Sequence, residues 1–245
     1  MSDVLGVKFI NKDTGAAIHT LTDWGCYLHG RQKIDPAPVK WMKESIPGTN
    51  GKLDYTKALS GRVNYDSRLI HVELFVLDAV NMWDSVYSAM QDFLHGQTMK
   101  IIFDSDSGYY YEGTVEVNEW QSMKKMAVIV IEGDVDPFKY EMFSSLEDWE
   151  WDPFNFEDGI IREYKNLTVN ASLTLTIPGR RMEVVPTFTV SNTSGNGLNV
   201  TYNSVTYHLS EGANRVPAID LKEGDNVLVF TGSGKVSVDY RGGRF

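Results

Sequence analysis

The run "RLIHVELFV" (Arg68–Val76) alternates strictly, with Ile70, Val72, Leu74 and Val76 on one face and Leu69, His71, Glu73 and Phe75 on the other. A period of two marks a strand half-buried in a sheet. The next stretch, "DAVNMWDSVYSAMQDFLHG", changes period. Val80, Trp83, Val86, Tyr87, Met90, Phe93 and Leu94 recur every three or four residues, while Asp84, Ser85, Ser88, Gln91 and Asp92 fill the opposite side. That pattern predicts one amphipathic helix of about four turns. Asp78 or Asn81 would cap its start, and Gly96 would take the left-handed position at its end. Period two then returns in "TMKIIF", "YYYEGTVEV" and "MAVIVIEG". Residues 1–140 are therefore expected to form an α+β domain, a mostly antiparallel sheet with one amphipathic helix packed across it.

Residues 141–165 follow neither period. They hold eight acidic and two basic side chains, together with Phe143, Trp149, Trp151, Phe154 and Phe156. This reads as an extended acidic aromatic connector whose rings dock onto one or both domains, the alternative for such a stretch being to hold sugars or basic partners. From 166 to 245 the texture is purely β: "LTVNASLTLTI", "MEVVPTFTV", "LNVTYNSVTYHL", "NVLVF" and "KVSVDY" are separated by turn-rich clusters such as "PGR", "SGNG" and "EGDN". This spacing predicts an all-β sandwich. "TGSGK", starting at Thr231, opens no helix and reads as a hairpin turn rather than a phosphate loop.

"FDSDSGYYYEG" (103–113) looks at first like a metal loop. Counted from Asp104, the first and third positions are acidic, but the fifth is Gly108, the sixth Tyr109 and the twelfth Val115. A helix–loop–helix calcium site needs an oxygen ligand, a glycine and a bidentate Glu there, so that site is removed. What remains is a looser calcium site or, more consistently with these residues, a hairpin in which Gly108 accepts a positive φ. Strand alternation puts Tyr109, Tyr111, Val115 and Val117 on the core face. Tyr110 and Glu112 then point outward as candidate protein-contact residues.

With 42% hydrophobic residues in 245, the chain can bury real cores, and its net charge of −10 argues against gripping nucleic acid by phosphate neutralisation. The one cysteine, Cys26, cannot form an intrachain disulfide. The start of the chain has no signal-like run, and no stretch reaches the roughly 18 apolar residues of a membrane span, so a soluble chain made in the cytoplasm is expected. The sequons at Asn166, Asn170, Asn192 and Asn199 read as strand and turn residues. His19, His29, His71, His95 and His208 fall in different predicted elements, and no nucleophile elbow, phosphate loop, dinucleotide fingerprint or zinc-protease pair occurs. No catalytic residue, cofactor or metal site is expected, and the chain is read as a non-enzyme.

The order of motifs adds a family resemblance. "SIPGTNGKLDYT" (45–56), "VNYDSRLIHVELFV", the helix ending "FLHGQTMKIIFDSDSGYYYEG", and "DVDPFKYE" (134–141) follow one another. As an ordered set they resemble the N-terminal domain of the distal tail protein of siphophages infecting Gram-positive bacteria. The closing "LKEGDNVLVFTGSGKVSVDYRGGRF" is similar to the end of that family's galectin-like C-terminal sandwich. The resemblance implies 1–140 as a ring-forming assembly domain, 141–165 as connector and 166–245 as a galectin-like β-sandwich. It also implies a structural role at the virion tail tip: a six-fold ring of copies of the chain that joins the tail tube to the tail-associated protein and, in some phages, to receptor-binding proteins. Neither a membrane nor sequence-specific nucleic acid is among the implied partners, and net acidity would let DNA pass a central channel without capture. One departure is that no sugar-binding signature maps residue by residue. Tyr202, Tyr207 and His208 are the candidate glycan contacts. A glycan-binding adhesin working through the sandwich is the alternative function, beside the sandwich as adaptor or spacer.

Overall fold

A computed structural model describes residues 5–30, 32–76, 83–123, 126–147, 163–195 and 197–245. It is mostly β, built from curled antiparallel sheets with few helices. The chain divides into two units, Met1–Lys139 with Phe245, and Tyr140–Arg244.

In the first unit, β1 (Val7–Asn11), β2 (Ala17–His19), a short helix α1 (Thr20–Trp24), β3 (Cys26–Leu28) and β4 (Lys33–Ile34) precede a small hairpin of β5 (Lys43–Glu44) and β6 (Leu53–Asp54). The chain continues through β7 (Arg68–Val76), α2 (Trp83–Leu94), β8 (Gln97–Phe103), β9 (Tyr109–Met123) and β10 (Met126–Val135). The main sheet runs β2-β1-β8-β9-β10-β7-β3, with β4 also on β7, and the pairings resolved along it are antiparallel. Alternation in β7 is as the sequence predicts: Ile70, Val72, Leu74 and Val76 are each at most 1% exposed. The helix α2, which contacts β9 and β8, turns Trp83, Val86, Met90 and Leu94 inward, and these join the β7 residues with Phe9, Met99, Ile101, Ile129 and Ile131 in one core. Gly96 ends the helix with φ 72°. The expected start of the helix, with Asp78, Val80 and Asn81, lies outside the described residues. Gly113 is fixed by close approach, since a Cβ there would lie 2.1 Å from the carbonyl oxygen of Asp134.

The second unit carries β11 (Lys139–Glu141, entering from the first), β12 (Leu167–Gly179), β13 (Thr187–Ser191), β14 (Leu198–Tyr202), β15 (Val205–Leu209), β16 (Gly212–Arg215), β17 (Gly224–Asp239) and β18 (Gly243–Arg244). Strand order is β15-β14-β17-β13-β16, with β12 pairing along β17 in unbroken register from Leu167↔Val236 to Gly179↔Gly224. β17 pairs with β14 through Val229–Thr231 and with β13 through Lys235–Asp239, so one long strand serves both halves of the sheet. Between those halves Ala171 (φ 61°) faces Gly232 (φ 125°), and the paired strands bend together. The expected hairpin at "TGSGK" is thus corrected to a bend within a continuous strand, because Asn170–Ser172 of β12 supply ladder partners for Thr231–Ser233. A true turn lies inside "LNVTYNSVTYHL" instead: Asn203 (φ 47°) and Ser204 (φ 66°) form the two-residue left-handed turn joining β14 to β15. Phe188, Val190, Val200, Leu228, Phe230 and Val238 fill this unit's core.

The start of the expected connector also belongs to this unit. The buried Ser145 donates from Oγ to the Val238 carbonyl (2.7 Å) and accepts from the Tyr240 amide (2.8 Å). Trp149, Trp151, Phe154 and Phe156 lie outside the described residues.

Candidate functional site

Large exposed apolar side chains gather in one stretch of the first unit. Trp41 (63% exposed), Met42, Ile46, Leu53, Tyr55 and Leu59 (87%) all fall between Val39 and Tyr65. The chain leaves and returns through a narrow neck, where Val39 bridges Tyr65, the Lys40 amide donates to Asn64 (2.9 Å) and the Asp66 amide donates to Pro38 (2.8 Å). Beyond the neck the flap is held by hydrogen bonds of its own, with the Tyr55 amide donating to the Met42 carbonyl at 2.7 Å, the Met42 amide donating to Thr56 Oγ1 at 3.2 Å and β5 pairing with β6. An isolated two-stranded sheet is marginal in water, so these side chains form surface that a partner can cover. The flap is also basic. Lys40, Lys43, Lys52, Lys57 and Arg62 stand against Glu44 and Asp54, in a chain whose net charge is −10. Lys43 lies 4.0 Å from the Trp41 ring centroid, so cation and apolar surface are presented together.

Sequence reading quoted part of this segment as a family motif but gave it no site. The signal was available in "VKWMKESIPGTNGKLDYTKAL": large apolar residues interleaved with lysines and fitting neither strand nor helix period, which leaves them no core to enter.

The three tyrosines of "FDSDSGYYYEG" are all buried, at 9%, 5% and 6% exposure for Tyr109, Tyr110 and Tyr111. Tyr110 is therefore corrected from an outward contact to a covered one. Its sheet face is real, but Lys100 lies across it with Nζ 4.9 Å from the ring centroid, the lysine stem providing apolar cover. Each ring has its own cation: Arg68 lies 4.9 Å from Tyr111 and Lys139 lies 4.4 Å from Tyr109. Glu112 keeps a partly exposed carboxylate but pairs with Lys12 of the same chain. Asp104 and Asp106 lock the turn to its neighbours. Asp104 accepts from the Gly6 amide (2.6 Å) and contacts His19 Nε2 (3.0 Å), and Asp106 pairs with Lys139. The hairpin between β8 and β9 passes through a short 3₁₀ turn (Asp104–Asp106), and Gly108 is not among the residues with left-handed φ. That turn supplies the reversal expected from a positive φ at Gly108.

Tyr202, Tyr207 and His208 are not brought together. Tyr202 is 6% exposed and donates its hydroxyl inward, 2.8 Å from the Asp220 carbonyl, so it is corrected from a glycan contact to a core residue. Burial pushes its hydroxyl pKa up from the ordinary tyrosine value. Tyr207 and His208 are adjacent on β15 and so project to opposite faces. Tyr207 packs against the core, opposite Val200, while His208 is exposed beside Asn199. No aromatic platform results from these three.

In the first unit a cavity of about 290 Å³ is lined by His29, Lys33, His71 and Glu73. His71 is held by Glu132 (3.2 Å) and Glu73 (3.3 Å), and no group of three potential metal-ligating side chains occurs among the described residues. Of the lining residues His71 and Glu73 pair with each other, which suits a surface network better than a binding pocket.

No protein-family model and no curated protein sequence matches this chain. Its fold does match a solved one. The chain superposes on the crystal structure of SPP1 Dit, described as a paradigm of the hub adsorption apparatus in phages that infect Gram-positive bacteria. The TM-score is 0.61 at 14% identity, over 98% of this chain and 99% of that one. The two proteins share a fold along nearly their whole length.

Proposed function

We propose that this chain is a structural hub protein of a phage tail tip, working by assembly and not by catalysis. Copies join into a ring, six-fold by the family resemblance, that connects the tail tube to the tail-associated and receptor-binding components, with a galectin-like sandwich as the C-terminal unit. Its place is then the virion, after assembly in the host cytoplasm. Full-length likeness to a hub protein fold supports the class. The observation that carries self-assembly is the flap, where six large apolar side chains stand in water on a hairpin too small to fold for its own sake. Fully withdrawing one such side chain from water contributes about 1.5–3 kcal/mol, so covering several offsets the entropy lost on association.

The adhesin alternative is not favoured by any geometry at its named residues, since Tyr202 is internal and Tyr207 and His208 diverge. Negative-stain electron microscopy of the purified chain, alone and mixed with tail tube protein, tests the assembly reading. Closed rings of uniform size are expected. Single particles at every concentration and in both mixtures would contradict it.

A further inference from the structure

Arg68 opens β7 opposite Val135, with the residue 6% exposed. Its Nε and Nη2 are sealed from solvent without a hydrogen-bond partner, and among the described residues no carboxylate is paired with it. What Arg68 does have is the Tyr111 ring, 4.9 Å from Cζ. A ring covers one face of a guanidinium but cannot accept the N–H groups that radiate in its plane. Burial pushes Arg68 down and Tyr111 up from their ordinary pKa values, the same desolvation acting on a cation and on a phenol. Lysine could escape such a site by losing its proton, whereas arginine keeps its charge. Within one copy an apolar side chain of similar volume would serve the fold better. A charge held at a cost to stability points to a use outside the isolated chain.

We propose that Arg68, braced by Tyr111, is the receiving half of a carboxylate site that an Asp or Glu side chain of a second copy completes on assembly. This rests on the self-association reading above. A chain of net charge −10 that packs against itself must place cations to meet its own carboxylates. Nη1 is the one guanidinium nitrogen not sealed and orphaned, and it is the point of entry. Entry at Nη1 is end-on, so one oxygen of the incoming carboxylate meets Nη1 and the other meets Nη2, which has no acceptor in the single copy.

The test compares the full-length wild-type chain with Arg68→Met and Arg68→Lys, reading thermal midpoint at low concentration and association by sedimentation velocity. Arg68→Met is expected to melt about 2–4 °C higher and to associate at least about tenfold more weakly, a loss equivalent to about 1.4 kcal/mol. Arg68→Lys, which keeps the charge without the fork, should fall between. Association of Arg68→Met equal to wild type would overturn the proposal while leaving self-assembly intact. A wild-type chain that never associates would instead remove the self-association reading, and this proposal with it. If Arg68→Met does not fold, the arginine Nη–H resonances of wild type decide: a downfield shift of the Arg68 signals between dilute and assembled samples supports the site, and unmoved signals overturn it.

Discussion

The hydroxyl of Tyr202 lies 3.0 Å from Oδ1 of Asn226, and the pair knots the loop that leads into β17. Asn226 Oδ1 also accepts from the Lys222 amide (2.9 Å), while Nδ2 faces the carbonyls of Lys222 (2.7 Å), Gly224 (3.1 Å) and Ile177 (3.2 Å). Asn226 is 5% exposed, so an alanine there strands several buried groups at once. Asn226→Ala is expected to cost about 3 kcal/mol or more, against about 1 kcal/mol for Tyr202→Phe. Urea unfolding of both variants checks the ratio. Equal small losses would show that the knot is not structural.

Gly113 has a different constraint. It pairs with Val135 across the β9–β10 ladder, and a Cβ would lie 2.1 Å from the Asp134 carbonyl oxygen and 2.5 Å from the Val135 Cα, both backbone atoms. Backbone cannot swing aside as a side chain can, so Gly113→Ala should cost on the order of 3 kcal/mol. The denaturant midpoint should fall with the slope unchanged.

The bend at Ala171 predicts the reverse sign. An exposed alanine at φ 61° carries strain of about 1–2 kcal/mol that glycine does not, partly offset by about 0.4–1 kcal/mol of extra freedom in the unfolded chain. Ala171→Gly should therefore raise the thermal midpoint by about 1–4 °C. Gly232→Ala, whose Cβ would meet Leu198 Cδ2 at 2.9 Å in a left-handed backbone, should lower it.

These positions also show what the sequence made legible. Alternation in β7 and the stripe of α2 were readable because each faces one core, so burial imposes a single period. The strand at Thr231–Lys235 was not, because a Gly-Ser-Gly in a ladder looks the same as one in a turn until its partner strand is known. Tyr110 was misread for a related reason. Alternation assigns a face but says nothing of Lys100 lying across it from the next strand. The flap went unassigned because side chains without a core have no period to detect. The fold was thus legible where local pattern and tertiary burial agree, and the exposed flap was hidden where they part.

Alkaline pH should expose the buried tyrosines. Desolvation raises the pKa of Tyr111 and of Tyr202 in the folded state above their ordinary value of about 10. The folded form then holds protons the unfolded form releases. Their contribution is full below about pH 10 and is lost as pH rises through the folded-state values. Tyr111→Phe should lose less stability than wild type between about pH 9 and about pH 11. Parallel losses in the two proteins would assign the alkaline response elsewhere.

The central claim is that the exposed flap is where copies meet. Replacing Trp41, Leu53 and Leu59 together by serine removes apolar surface that touches neither core, so circular dichroism and the thermal midpoint should stay close to wild type. Mass photometry of wild type and this triple variant, over the same concentration series and with tail tube protein added, is the most direct measurement. Wild type, 27.6 kDa as a single chain, should pass to a single large species of fixed stoichiometry while the folded variant remains a monomer. Assembly of the variant at wild-type concentrations would contradict the account.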